Sequence, residues 1–368
     1  MLRRVYIATA SGFASFYLML PLVPLLAAKR GSDFDAGLVT FVFMAATVAA
    51  QLLCPWLLRW TSNRLLLAYG TLLVGVPSLA YSASRAIVWV STVSVVRGAG
   101  FGLMTVASST LVTGMASSAH RGRSIGMYGL LASGMGVFCP ALGLWMARAL
   151  GPTSAFLLAA LAGVLACTVL VGRWDEMSTT RPRERAALRP LLRVEADPGS
   201  LAFLGGVMLA AIYSFLALRV SHDAGLAILA FGCSFAAARL QLGRLADSTW
   251  EVEALLITSI IAGTAGMAGL ALSSELLIAC LCAIAAGAGA GGILSLSLLI
   301  MVRRSHGELA MATTLWNVAY DSGNALGGIG LGAVIGPLGL VGPYAVTSIL
   351  LCAAAAAVAG KKRLLLAR

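Results

Sequence analysis

The feature that most constrains this chain is a series of twelve apolar segments separated by short polar turns. About 20 consecutive apolar residues form a helix long enough to cross a bilayer. The first segment is too long for the apolar core of a signal peptide, so we interpret it as a membrane helix. The sequence therefore predicts an all-α integral membrane protein with twelve transmembrane helices, over residues 5–28, 35–58, 64–82, 86–115, 123–149, 153–172, 200–219, 223–246, 253–272, 275–301, 308–334 and 341–360.

Composition supports this interpretation. Of the 368 residues, 60% are hydrophobic and 11% are charged, whereas soluble domains carry about 25% charged residues. So few charges cannot cover a soluble surface, and the twelve segments leave no room for a large catalytic domain outside the membrane. We therefore expect no enzymatic activity and no bound cofactor or metal. Because the basic residues are spread among many loops, we also expect no nucleic-acid partner.

The distribution of Lys and Arg predicts the topology, because cytoplasmic loops carry an excess of both. If both termini are cytoplasmic, the inner loops hold 20 of the 26 basic residues and the outer loops hold five. We therefore expect a multi-pass protein of the cell membrane with both ends inside. The net charge of +12 then reflects orientation, with some attraction to anionic lipid.

An internal repeat divides the chain into two halves. Residues 49–59 align with residues 237–247 at a shift of 188, and residues 97–102 align with residues 286–291 at a shift of 189. Parallel repeats of six helices are typical of transporters, with the substrate site near the membrane midplane. We predict an N-terminal half over 1–172, a cytoplasmic linker over 173–199 and a C-terminal half over 200–368.

The loop after the eighth segment carries a recognisable motif, Gly-Arg-Leu-Ala-Asp over residues 243–247. It resembles the Gly-x-Leu-Ala-Asp-Arg motif of the major facilitator superfamily of secondary transporters, and the resemblance extends over nearly the whole chain. In that family the motif holds the inner gate closed in one state. The resemblance implies a monomer and an inner latch made of Gly243, Arg244, Asp247, Arg121 and Arg123.

The equivalent loop of the first half departs from this motif, with Pro55 in place of the glycine and Arg59 in place of the aspartate. A latch there cannot use the usual charges. Since the eleventh segment begins near Glu308, we expect a swapped pair between Arg59 and Glu308.

Two further motifs resemble those of proton-coupled exporters in the superfamily. Arg97 lies inside the fourth segment in an Arg-x-x-x-Gly pattern associated with proton coupling, although purely structural pairing is an equal alternative. A buried arginine should face a partner or a cavity, because exposure to lipid is costly. The fifth segment has a partial match to a Gly-Pro-x-x-Gly pattern, which also fits simple close packing of helices. Its residues are Gly134, Gly136, Pro140 and Gly143.

The eleventh segment contains the strongest chemical signal. Asn317, Asp321 and Asn324 are spaced i, i+4 and i+7, so they form one polar stripe on an apolar helix, beside Tyr320. Burial favours the neutral, protonated form of a carboxylate, which suits a proton carrier. We expect Asp321 to bind the coupling proton; a structural carboxylate that bridges helices is the alternative. Other candidates for the substrate cavity, each equally able to satisfy a helix contact, are Tyr17, Gln51, Tyr128, Tyr213 and Gln241.

The sequence thus favours proton-coupled export of a small organic compound, a drug or a metabolite, by alternating access. The proton gradient is the expected energy source, and the expected partners are the substrate, protons and membrane lipid. Uptake of a small metabolite and a receptor or scaffold that moves nothing remain as alternatives.

Overall fold

The computed structural model describes residues 2–115, 121–170, 196–220, 223–246, 251–304 and 309–360, and this part of the chain is helical without a β-strand. The first six crossings are α1 (Leu2–Met19 and Leu22–Arg30), α2 (Asp33–Leu57), α3 (Asn63–Gly75, then a 3-10 turn over Val76–Ser82), α4 (Ile87–Met115), α5 (Arg121–Ala149) and α6 (Pro152–Leu170). The next six are α7 (Ala196–Ala210, a π-helical turn over Ala211–Phe215, then Leu216–Arg219), α8 (Ala224–Ala246), α9 (Val252–Leu272), α10 (Leu276–Arg304), α11 (Leu309–Leu338) and α12 (Gly342–Gly360).

Each of these helices has the length and composition needed to cross a membrane. Eleven such stretches occur in the described residues, and the last, Ala312–Gly360, holds both α11 and α12. The predicted all-α fold with twelve membrane helices is therefore confirmed. The predicted linker ends too late, since α7 already begins at Ala196 with Asp197 in its first turn, a favourable position for an acidic residue. The rest of that linker, residues 173–195, lies outside the described residues.

Three helices depart from regular α geometry, and none of these departures was predicted. In α1 the helix is interrupted at Leu20 and Pro21, and α3 tightens into its 3-10 turn next to Pro77. Proline has no N–H to donate, so a regular α-helix loses a hydrogen bond wherever it occurs in the interior. In α7 the π-helical turn over Ala211–Phe215 is buried throughout. Such turns occur often at functional sites.

The chain forms two compact units. The first comprises Met1–Gly31 and Val42–Ala186, and the second comprises Ser32–Phe41 and Ala187–Arg368. The beginning of α2 therefore belongs to the second unit.

Close helix packing inside the two units follows the internal repeat. In the first unit, a Cβ atom added at Gly98 would meet the carbonyl oxygen of Phe43. In the second unit, a Cβ at Gly287 would meet the carbonyl oxygen of Phe231, 189 and 188 residues further along. Glycine allows the two backbones to approach this closely in both places. Gly102 and Gly291 are similarly placed against α2 and α8.

A matching pair of arginine hydrogen bonds also follows the repeat. In the first unit, Nη1 of Arg30 donates to the carbonyl oxygen of Tyr81 at 3.4 Å. In the second unit, Nε of Arg219 donates to the carbonyl oxygen of Leu270 at 3.3 Å, and Nη2 donates to Ala271 at 3.0 Å. Both bonds span 51 residues, and both donors and acceptors differ by 189. Because the last carbonyls of a helix have no partner within it, these arginines satisfy groups that would otherwise be unpaired.

Candidate functional site

The polar stripe of α11 lies inside the second unit. Only 4% of Asp321 and 2% of Asn324 is exposed, whereas Asn317 and Tyr320 are half-buried. Together with Arg97, Asp321 makes up the fully buried charged residues of the described chain. A charged side chain inside a membrane protein is costly and is characteristic of ion or substrate pathways.

Helix α7 packs directly against the stripe through glycines. A Cβ at Gly206 of α7 would meet the carbonyl oxygen of Tyr320 and would lie 2.7 Å from the amide nitrogen of Asn324. From the other side, a Cβ at Gly323 would meet the carbonyl oxygen of Phe203. The backbone around Asp321 is therefore fixed against α7, so the position of its carboxylate depends on this helix contact.

Trp316 extends the site toward α10. Its indole Nε1 donates to Oγ of Ser297 at 3.0 Å, and its ring stacks on Tyr320 with centroids 5.5 Å apart and planes 6° apart. The tryptophan therefore connects α10 to the stripe and restricts Tyr320. Sequence analysis missed Ser297, because a serine in an apolar helix carries no signal of its partner.

The π-helical turn of α7 contains Tyr213, which is buried and packs edge-on against Phe231 of α8 with centroids 5.8 Å apart. The next residue, Ser214, shares a hydrogen bond of 2.7 Å with Thr40 in the part of α2 that belongs to the second unit. Thr40 also donates to the carbonyl oxygen of Ala36. Neither Thr40 nor Ser214 was predicted.

Arg97 is enclosed by neutral groups. Its Nε donates to the carbonyl oxygen of Val74 at 2.8 Å, and its Nη2 donates to the carbonyl oxygen of Ser15 at 3.2 Å. Nη1 lies 3.5 Å from the hydroxyl of Tyr81, and the guanidinium lies over the rings of Phe43 and Tyr81 at 5.8 and 5.6 Å. The described partners of Arg97 thus include no carboxylate.

A cluster of aromatic rings surrounds Tyr17 and Tyr128 in the first unit. Phe16 stacks on Phe101 with centroids 3.9 Å apart, and Phe13 contacts both Tyr17 and Tyr128 at 6.1 Å. The hydroxyl of Tyr128 accepts a hydrogen bond from Ser108. Both tyrosines are half-buried at the edge of a buried phenylalanine cluster. Sequence analysis predicted the tyrosines but not the cluster, because its rings come from four separate helices.

The glycines of α5 serve different purposes. A Cβ at Gly143 would meet the carbonyl oxygen of Leu18, and a Cβ at Gly136 would lie 3.0 Å from the ring of Tyr17. Both glycines therefore allow α1 to approach. A Cβ at Gly134 would meet nothing within 4 Å, so close packing does not require this glycine, contrary to its predicted role. Pro140 lies buried inside the helix.

The remaining candidates are scattered. Gln51 is half-buried, and Gln241 and Arg59 are exposed. Asp247 and Glu308 lie outside the described residues, so neither predicted latch is described. The backbones of Arg121, Arg123, Gly243 and Arg244 are helical. Within the described ranges, no three His, Cys, Asp or Glu side chains lie close enough together to hold a metal ion.

Comparison with known proteins decides the family. The sequence profile of the Major Facilitator Superfamily matches residues 5–223. The chain belongs to the major facilitator superfamily. No curated protein sequence matches it significantly.

Solved structures of superfamily transporters share its fold. A bacterial homologue of the human lysosomal transporter Spinster, in an inward-facing and unoccupied conformation, is 14% identical with a TM-score of 0.74, covering 97% of this chain and 95% of that one. A POT family transporter in complex with a thioalcohol-conjugated peptide is 11% identical with a TM-score of 0.78, covering 98% and 96%. The nucleoside transporter NupG is 12% identical with a TM-score of 0.76, covering 98% and 100%. At such low identity the likeness establishes the fold, and it establishes no substrate.

Proposed function

We propose that this member of the major facilitator superfamily is a secondary active transporter that exports a small organic compound in exchange for protons. In this proposal Asp321 binds and releases the coupling proton, and the protein works as a monomer by alternating access. Both termini face the cytoplasm of the cell membrane. The proposal deepens the family assignment by naming the coupling ion, the direction of transport and the residue that carries the proton.

The observation that carries the proposal is the burial of Asp321 in the middle of α11. A carboxylate in this position is favoured when neutral, so each change in its access to water changes its proton occupancy. Asn317 and Asn324 lie on the same stripe and offer amide groups to a polar substrate group. The stacked pair of Trp316 and Tyr320 offers an apolar, flat surface at 5.5 Å centroid spacing. Together these groups suit an amphipathic compound.

The test uses purified protein in liposomes that contain a pH-sensitive dye, with a panel of toxic and natural small organic compounds. A proton-driven exporter moves a compound against the proton flow, and collapse of the gradient abolishes its accumulation. Asp321→Asn keeps the size of the side chain but cannot ionise. We expect it to reduce gradient-driven transport about 10-fold or more while sparing exchange of compound across the membrane without a gradient.

The matched control is Glu275→Gln, which makes the same chemical change at an exposed carboxylate before α10. It should leave transport unchanged. If Asp321→Asn retains wild-type coupling, Asp321 is not the proton carrier. Compound and protons moving in the same direction would identify uptake, and saturable binding without exchange would identify a receptor.

A further inference from the structure

The 3-10 turn that ends α3 is held by two arginines from different helices, and both bind the same residue. Arg30, at the end of α1, donates to the backbone carbonyl oxygen of Tyr81 at 3.4 Å. Arg97, in the middle of α4, reaches the phenol oxygen of Tyr81 at 3.5 Å and lies over its ring. Tyr81 therefore links the end of α1 to the buried arginine of α4 through its backbone on one side and its side chain on the other.

The 3-10 turn itself explains why Arg97 binds there. Val74 lies three residues before Pro77, which has no N–H, so the carbonyl oxygen of Val74 lacks the donor that a 3-10 turn would supply. Nε of Arg97 donates to this oxygen at 2.8 Å. Its Nη2 donates to Ser15 of α1 at 3.2 Å. One guanidinium thus holds α1 and α3 together at the point where α3 changes its helix type.

Tyr81 is itself fixed in one position. It is 2% exposed, its hydroxyl shares a hydrogen bond of 2.9 Å with Ser94, and its ring packs on Phe156 at 5.7 Å. A side chain so confined cannot rotate away when either arginine moves. A displacement of Arg97 is therefore passed to the backbone that Arg30 binds.

The second unit contains only half of this arrangement. Arg219 binds the carbonyl oxygens at the end of α9 as Arg30 binds that of Tyr81. At the positions 189 residues after Tyr81 and Arg97, however, the chain has Leu270 and Ala286. These side chains have no hydrogen-bonding groups, so a connection from the helix end to the core through a tyrosine and an arginine is confined to the first unit.

We infer that Tyr81 is a positioning residue that couples Arg97 in the core to the segment Leu22–Arg30 at the end of α1. The inference does not depend on Asp321, on the coupling ion or on the direction of transport. It requires only that a change at Arg97 reach the Arg30 end of the first unit through the hydroxyl of Tyr81. Such a coupling claim needs direct evidence that the two sites respond to each other.

The experiment measures the reaction rate of a single cysteine with a membrane-impermeant maleimide in liposomes. All seven native cysteines are replaced by alanine, and Lys29→Cys places the probe next to Arg30 on an exposed position. Tyr81→Phe removes the hydroxyl and keeps the ring. We expect this change to alter the labelling rate about threefold or more, which is the size of one hydrogen bond between protein groups.

Arg97→Lys removes the other partner of the same contact and should alter the rate in the same direction. If the two residues act through one contact, the double variant should change the rate no more than the larger single effect does. Two independent effects would instead multiply, and this outcome would overturn the inference. No change with Tyr81→Phe would also overturn it.

Two controls separate this coupling from general disturbance. Leu218→Cys places the same probe at the equivalent position beside Arg219, 189 residues further along, and its labelling should not respond to Tyr81→Phe. An equal response at both probes would indicate a global change and would contradict a specific connection. Tyr69→Phe, at an exposed tyrosine of α3, should affect neither probe. If Tyr81→Phe fails to fold, Arg97→Lys decides the question alone: it must change labelling at Lys29→Cys and not at Leu218→Cys.

Discussion

The contact between α7 and α11 makes a quantitative prediction about Gly323→Ala. Gly323 lies two residues after Asp321, and an added Cβ would overlap the carbonyl oxygen of Phe203. Both partners are backbone atoms of packed helices, so no side-chain rotation can relieve the overlap. The helices must separate until the two atoms reach an ordinary contact of 3.4 to 4 Å.

The size of the effect follows from comparison with Gly330→Ala on the same helix. A Cβ at Gly330 meets nothing within 4 Å. Alanine is favoured over glycine in a helix by about 1 kcal/mol, and this gain is the same in both variants. Their difference in unfolding free energy is therefore the overpacking penalty alone, which is about 1–3 kcal/mol.

Thermal unfolding of the purified variants in one detergent, followed by circular dichroism, measures this difference. Gly330→Ala should unfold at or slightly above the wild-type temperature, and Gly323→Ala should unfold several degrees lower. Because the separation occurs beside Asp321, Gly323→Ala should also lower gradient-driven transport. Equal unfolding temperatures for the two variants would show that α7 and α11 are not in backbone contact at this point.

Two further predictions test the repeat and the tryptophan. Gly98→Ala and Gly287→Ala should lower the unfolding temperature by similar amounts, because each Cβ would overlap a carbonyl oxygen at an equivalent position; a loss at only one site would contradict equivalent packing. Trp316→Phe should keep an aromatic ring against Tyr320 but lose the hydrogen bond to Ser297, at a cost of about 1 kcal/mol measured by thermal unfolding, and the further change Ser297→Ala should then add little.

The twelve helices were predictable because membrane crossing imposes one strong pattern, a long apolar run between charges. The three irregular points were not predicted. Pro21 and Pro77 are visible in the sequence, but a proline within a membrane helix is tolerated wherever neighbouring groups satisfy the freed carbonyl. The π-helical turn of α7 carries no composition signal, since its residues would fit a regular helix.

The site was predictable where polarity is unusual. Asp321, Asn324 and Arg97 stand out because charged and amide side chains are rare in apolar helices, and all three are buried. What they contact was not predictable. The neighbours of Arg97 are mainly carbonyl oxygens and rings, and every residue has a carbonyl, so sequence offers no sign of which one is left without a partner.

The paired bonds of Arg30 and Arg219 have a consequence for how the two halves diverge. A backbone oxygen accepts a hydrogen bond whatever side chain its residue bears, so the donor must stay an arginine while the accepting position is free to vary. One copy of the repeat has leucine there, and the other has a tyrosine whose hydroxyl reaches Arg97. A duplicated fold can in this way keep an old bond and gain a second contact from the same residue, without disturbing the geometry that both halves share.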